Sequence, residues 1–201
     1  MINRLFQFRL ANWITPLAVV ALILLLQLAV DDPVGTLRYE REAIADGQWW
    51  RLASGHFVHA DWGHLFWNLF GVGLVWFLFA RDYRPAQWFA IMTSALLASD
   101  LGLALLEPQI AWYVGFSGVL HGCIAAGLIA WLRSERDALT IVVAILFLAK
   151  LAWEHWAGPL PLTSTSMSVP VVHEAHSYGA LGGAACALGI AYARTSRQPS
   201  L

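Results

Sequence analysis

The chain has 201 residues, of which 59% are hydrophobic and only 12% charged, with a formal net charge of −1 and a mean hydropathy of +0.60. Soluble domains carry about a quarter charged residues, so the composition excludes an ordinary water-soluble fold and points to an integral membrane protein. No basic cluster or low-complexity tract is present, which argues against a nucleic-acid partner.

Apolar runs near the roughly 20 residues that cross a hydrocarbon core predict six spans, over residues 13–30, 64–80, 85–106, 117–132, 138–157 and 173–193. The expected fold class is an all-α membrane protein, a six-transmembrane-helix bundle forming one domain over residues 1–201. The first span follows Arg4 and Arg9 like a signal peptide, but Gln27-Leu28-Ala29-Val30 offers no small-x-small cleavage site. It reads as a retained helix, with Thr15 as its cap and Pro16 in its first turn. Asp100, near the outer end of the third span, reads as a cap or interfacial contact. The fourth span is short unless the apolar run 110–116 extends or covers it. The fifth contains Lys150 and Glu154 at i, i+4, expected to neutralise each other or to snorkel outward. Residues 158–170, rich in Pro, Ser and Thr, read as an outer loop before the last span. Cys123 and Cys186 fall in different spans at different depths, which favours packing over a disulfide.

Arginine sets the orientation. Arg4, Arg9, Arg81, Arg84, Arg133, Arg136, Arg194 and Arg197 fall on one side of the six-span arrangement. Arg38, Arg41 and Arg51 fall on the other, in loops that also hold Asp31, Asp32, Glu40, Glu42, Asp46 and Asp61. The positive-inside rule puts both termini in the cytoplasm. All seven histidines (His56, His59, His64, His121, His155, His173 and His176) then fall in outer loops or outer half-spans. The charge rule did not count them, so their clustering points independently to an outward polar site; a simple interfacial preference of histidine accounts for some of it.

Ser117 opens the fourth span and His176 lies near the start of the sixth, at matching depth. A serine becomes a nucleophile only beside a base, and an ionisable group within a membrane is expensive unless it has a role. Gly118, Gly122 and Ala126 recur at four-residue spacing on one helix, and Ala175, Gly179 and Gly183 on the other. Such faces let helix backbones approach closely in membranes. Gly115-Phe116-Ser117-Gly118 alone is a short and common string, equally at home in plain helix packing; the matched histidine and paired glycine faces favour chemistry. His121, four residues after Ser117, competes as base, but helical side chains lean toward the N-terminus, which suits it better to a structural or substrate-contact role. His64 and Asn68, at i, i+4, share a helix face and could donate to an oxyanion; otherwise they are a helix–helix polar contact. His173 with Glu174 could tune the site or sit at the interface.

These motifs, in this order, resemble the rhomboid intramembrane serine proteases. Trp50-Arg51 in a long loop, His59, and His64-Leu65-Phe66-Trp67-Asn68 are similar to that family's first loop and second helix; Gly115-Phe116-Ser117-Gly118 and Ala175-His176-x-x-Gly179-x-x-x-Gly183 are similar to its nucleophile and last-helix motifs. The resemblance implies Ser117 as nucleophile and His176 as general base, a dyad without an acid. It further implies an oxyanion hole of His64, Asn68 and the Ser117 N–H. Gly115 and Gly118 would shape the serine turn, Gly179 and Gly183 would allow close helix approach, Trp50 and Arg51 would be structural, and residues 158–170 would cap the site. The strings Gly115–Gly122 and His173-Glu174-Ala175-His176, with a compact build, look most like the rhombosortase branch. That branch is associated with exported proteins bearing a C-terminal Gly-Gly, hydrophobic and basic tail. The expected partners are therefore transmembrane protein substrates in membrane lipid, and the expected location a bacterial inner membrane with the site facing the periplasm. No cofactor or metal is expected: there is no HExxH. A histidine-rich haem protein, a general rhomboid protease and a non-catalytic rhomboid relative are the alternatives.

Overall fold

The computed structural model describes residues 10–134, 136–161, 165 and 167–196. Arg4, Arg9 and Arg197 of the charge argument lie outside the described residues. A 3-10 turn, Leu10–Trp13, leads into α1 (Ile14–Ala29). Its N-cap is Trp13 and makes no side-chain cap bond, so Thr15, expected as the cap, is already inside the first turn. Pro16 fits there because first-turn amides have no intrahelical acceptor.

The segment between the first two predicted spans is folded rather than merely long. It forms α2 (Pro33–Leu37), β1 (Tyr39–Glu40), α3 (Arg41–Ala45), α4 (Arg51–Ser54) and a 3-10 turn, Gly55–Phe57. Two arginines organise it. Buried Arg51 donates to Gln48 Oε1 (2.7 Å) and to the carbonyls of Arg38 and Gly35 (3.0 Å each). Arg41 donates to the carbonyls of Leu103, Ala104, Glu107 and Ile110. It thereby satisfies acceptors that a helix C-terminus leaves open and complements its dipole. Trp50 is 54% exposed, beside Trp49 and ahead of Trp62, both exposed as well. Indole rings with an apolar body and one N–H suit the headgroup level, while the Trp50 carbonyl accepts from Ala53 N (3.1 Å) and Ser54 N (2.9 Å).

The remaining long helices are α5 (Trp62–Phe79), α6 (Pro85–Leu106), α7 (Ser117–Ser134), α8 (Ala138–Ala157) and α9 (Glu174–Thr195), with β2 (Trp112–Tyr113) between α6 and α7. β1 and β2 pair antiparallel, Tyr39 with Tyr113 and Glu40 with Trp112. Helices thus occupy all six predicted spans. Of these, α5, α6 and α8 are long and apolar enough to cross a membrane, and α1 is apolar but shorter. In α7 and α9 the hydropathy is diluted by glycine, serine and histidine, the residues that bring these helices into contact.

α7 is central, packed by α9, α6 and α5, while α9 lies in the groove between α7 and α6. Gly179 and Gly183 meet the backbone of Gly118 and Gly122, and Gly182 meets Ser94 and Ala98 of α6, so closely that a Cβ at any of the three would collide. Ser94 Oγ donates to Gly182 O (2.8 Å) and Ser99 Oγ to Ala175 O (3.2 Å), bonding α6 to α9 across this seam. By contrast α8 buries only Thr140 and Glu154. Arg81, Arg133 and Arg194 gather round one hollow at the end of the bundle away from Ser117. The cysteines Cys123 and Cys186 are free.

Candidate active site

The turn before α7 is shaped by Gly115, at φ +112°, a conformation that side chains with a Cβ disfavour. A Cβ there would also strike the His64 ring. Glycine is therefore required twice over, for the turn and for the approach of His64. Gly115 N–H donates to Gly55 O (3.0 Å), and Tyr113 Oη donates to Gly115 O (2.5 Å). Burial pushes the Tyr113 hydroxyl well above the ordinary tyrosine range, so it stays a donor. Phe116 is fully buried behind the turn.

Ser117 is the first residue of α7, so its amide and the next ones have no intrahelical acceptor. Its Oγ lies 2.9 Å from Nε2 of His176, in the first turn of α9. Asn68 and His64 are both buried on α5. Asn68 Nδ2 donates to His64 O (2.9 Å), which leaves the second N–H of that amide for another acceptor. His59 sits edge-on to His64 at 5.0 Å between ring centroids; Gln27 of α1 grips its backbone through both N–H and carbonyl.

Two cavities meet at Ser117. One, about 290 Å³, is walled by Gln109–Val114 and Val169–Val172. The other, about 440 Å³, runs between α5 and α8 and is lined by Trp67, Leu74, Leu146, Phe147 and, at its head, by Ser117 and His176. Met167 and Val171 border both. Within the predicted cap, residues 162–164 and 166 lie outside the described residues. Ser168 is strapped to Asp61, whose Oδ2 accepts from Ser168 N (2.7 Å) and Oγ (2.6 Å). Oδ1 of Asp61 accepts from His64 N (2.8 Å) and so caps α5.

Other polar residues fall differently from the expectations. Asp100 is buried and is not a cap, because α6 runs on to Leu106; its Oδ1 meets His56 Nε2 at 3.1 Å. His173 precedes α9, half-buried, with Glu174 3.8 Å away. His155 is exposed and apart from the site. Lys150 and Glu154 do pair, at 2.6 Å, but they point inward. Glu154 Oε2 lies 2.9 Å from His176 Nδ1, and Lys150 Nζ contacts His121 Nε2. A carboxylate beside His176 is what the motif reading missed. The signal was present: Lys150 and Glu154 share one face of a largely apolar span, at the same level as His176. Among the described residues, His121, Glu154 and His176 form the group that could hold a metal ion. The cation that touches all three is the Lys150 ammonium.

A family model described as "Rhomboid domain" matches residues 46–193, well over half of the chain. Among curated proteins, YdcA of Bacillus subtilis (strain 168), named as a candidate rhomboid protease, is 30% identical over 83 residues, covering 39% of this chain and 40% of that protein. The rhomboid protease GluP of the same organism is 26% identical over 103 residues, covering 51% of this chain and 20% of GluP. The matched stretches are therefore less than half the length of either relative.

Proposed function

The chain belongs to the rhomboid family, and from that premise we propose that it is an intramembrane serine endopeptidase that cuts transmembrane segments of other proteins near the outer membrane face. The observation that carries this reading is the 2.9 Å approach of Ser117 Oγ to His176 Nε2 at the head of an apolar cavity open between α5 and α8. A substrate helix would lie along that cavity in lipid, and its unwound end would cross Ser117. Ser117 Oγ attacks the peptide carbonyl carbon and its proton passes to His176 Nε2. The α7 N-terminal amides, His64 and Asn68 stabilise the oxyanion. The C–N bond then breaks, and the same proton goes to the leaving amine. Water arriving through the smaller cavity gives a proton to His176 as its oxygen attacks the acyl carbon; the bond from that carbon to Ser117 Oγ then breaks, and His176 returns the proton to Ser117 Oγ.

All six long helices cross the membrane in this reading, the arginine-rich end in the cytoplasm and Ser117 toward the periplasm of a bacterial inner membrane. The histidine after the serine, at His121, and the string His173-Glu174-Ala175-His176 support the finer assignment to a rhombosortase, which removes C-terminal Gly-Gly tails from exported proteins. The test is C-terminal mass spectrometry of exported proteins from cells with the native chain or Ser117→Ala, with fluorophosphonate labelling of both purified proteins. Termini near Gly-Gly and a labelled Ser117 in the native chain alone are expected. Identical termini remove the rhombosortase assignment, and an unlabelled native chain removes the hydrolase.

A further inference from the structure

The hydrogen-bonding roles of Ser117 and of four side chains around it, His121, Lys150, Glu154 and His176, are fixed by their partners. The starting point is the Ser117 carbonyl, which can only accept. His121 Nδ1 lies 2.7 Å from it, so Nδ1 carries the hydrogen and Nε2 is left as an acceptor. Lys150, a donor only, meets that Nε2 and also donates to Glu154 Oε2 at 2.6 Å. Glu154 is an acceptor. At His176 Nδ1, its oxygen stands at 2.9 Å and Lys150 Nζ at 3.2 Å. The nearer, anionic neighbour decides, so Nδ1 carries the hydrogen and donates to Glu154. His176 Nε2 must then accept, and what it accepts from is the Ser117 hydroxyl. The bonds form one ring that leaves Ser117 by its carbonyl and returns to it by its hydroxyl. The imidazoles of His121 and His176 are stacked within it, 4.1 Å apart and 12° from parallel.

We propose that Glu154 is a positioning residue for His176, making the site a Ser–His–Glu triad in place of a dyad, with Lys150 anchoring Glu154 and His121 fixing the plane of the base. The inference rests on the hydrolase reading above. As Ser117 attacks, its proton moves to His176 Nε2. The resulting imidazolium keeps its Nδ1 hydrogen on Glu154, which stays a carboxylate, and Lys150 stays an ammonium. Glu154 touches neither substrate nor reacting atom; it sets the tautomer and the aim of the ring and stabilises the imidazolium.

The competing role for this pair is mechanical, since Glu154 is one of two buried residues of α8 and a charge left without its partner is costly. The variants Glu154→Gln, Glu154→Asp and the charge-free double Lys150→Met/Glu154→Gln separate the two. The readouts are the rate of fluorophosphonate labelling at Ser117 of the full chain in detergent and the 15N shifts of His176. A glutamine can donate to Nδ1 and so favours the wrong tautomer. Glu154→Gln should label at least about 10²-fold more slowly, with His176 shifted toward its Nε2–H form, and Glu154→Asp should recover part of the rate. The double variant, rid of any unpaired charge, should stay as slow as Glu154→Gln. A double variant that labels like the native chain, or an unchanged His176 tautomer in Glu154→Gln, overturns the positioning role and leaves the hydrolase standing. A native chain that does not label at Ser117 overturns both.

Discussion

Gly179→Ala probes how the Ser117–His176 distance is set. A Cβ at Gly179 would fall on the carbonyl oxygen of Gly118, with Gly118 C at 2.6 Å and Cα at 3.2 Å behind it. The obstacle is backbone, so no change of rotamer relieves it. A carbon–oxygen contact settles at about 3.3 Å or more, which requires α7 and α9 to part by about 1 Å. Gly179 is three residues beyond His176, and Gly118 directly follows Ser117, so the parting reaches the site almost undiminished. The 2.9 Å approach would stretch to about 3.9 Å, beyond hydrogen-bond reach. Overpacking of this kind costs about 1–3 kcal/mol of stability. A displacement of about 1 Å at reacting groups costs about 10²-fold in rate, or about 2.7 kcal/mol of barrier. Gly189 is the control: nothing lies within 4 Å of a Cβ there, and alanine in a helix interior gains about 0.5–1 kcal/mol. Fluorophosphonate labelling and thermal unfolding of both variants in detergent are the assays. Gly179→Ala that stays folded and labels at the native rate would refute the claim that backbone contact sets the distance.

Asp61→Ala should lower stability by about 1 kcal/mol through loss of the α5 cap and should speed protease cutting around Ser168. Partial burial raises the Asp61 pKa, but hydrogen bonds from the Ser168 hydroxyl and the His64 and Ser168 amides outweigh it and hold the carboxyl at about 2. A depressed carboxyl contributes stability above its unfolded value near 3.8 and loses it as pH falls toward 2. Native cutting near Ser168 should accordingly be flat from pH 5 to 8; a rise within that window refutes the strap. His59 behaves oppositely to a paired histidine: burial first, then the neighbouring His64, pulls it from 6.5 to about 3. Below pH 6.5 the unfolded chain takes up a proton that the folded one refuses, so stability falls as pH drops. The loss is about 1.4 kcal/mol per unit, hence about 2 kcal/mol at pH 5. The thermal midpoint of His59→Gln should depend less on pH than that of the native chain, and equal dependence would count against it.

How much was legible in the chain depended on what each residue needs as a partner. The bounds of α6 and α8 match the predicted spans because local signals fix them: Pro85 at the first turn, Asp137 accepting from Thr140 N, and Gly158 at φ +81° ending α8. α5 begins at Trp62 rather than His64 because Asp61 caps it, and hydropathy is blind to caps. The folded first loop was read only as length. Its order comes from Arg41 reaching α6 and from the Tyr39–Tyr113 pairing, contacts between residues far apart in sequence. At the site, Ser117, His176 and their glycines were visible because small residues at four-residue spacing mark where backbones meet. Glu154 was visible as a charge but not as a neighbour of His176. That contact depends on the rotation of α8 about its own axis, which an apolar helix facing lipid on most sides does not encode in periodicity.

That rotation makes α8 a helix specified by phase and not by identity. Between Thr140 and Glu154 its exposed residues include Ile141, Val142, Ile145 and Leu148, away from the cavity, and any apolar side chain of similar size would serve there. Removing a single residue from the same stretch is another matter. It would turn everything beyond it by about 100°, carry Lys150 and Glu154 away from His121 and His176, and leave two charges facing hydrocarbon. The segment tolerates wide drift in spelling and almost none in length.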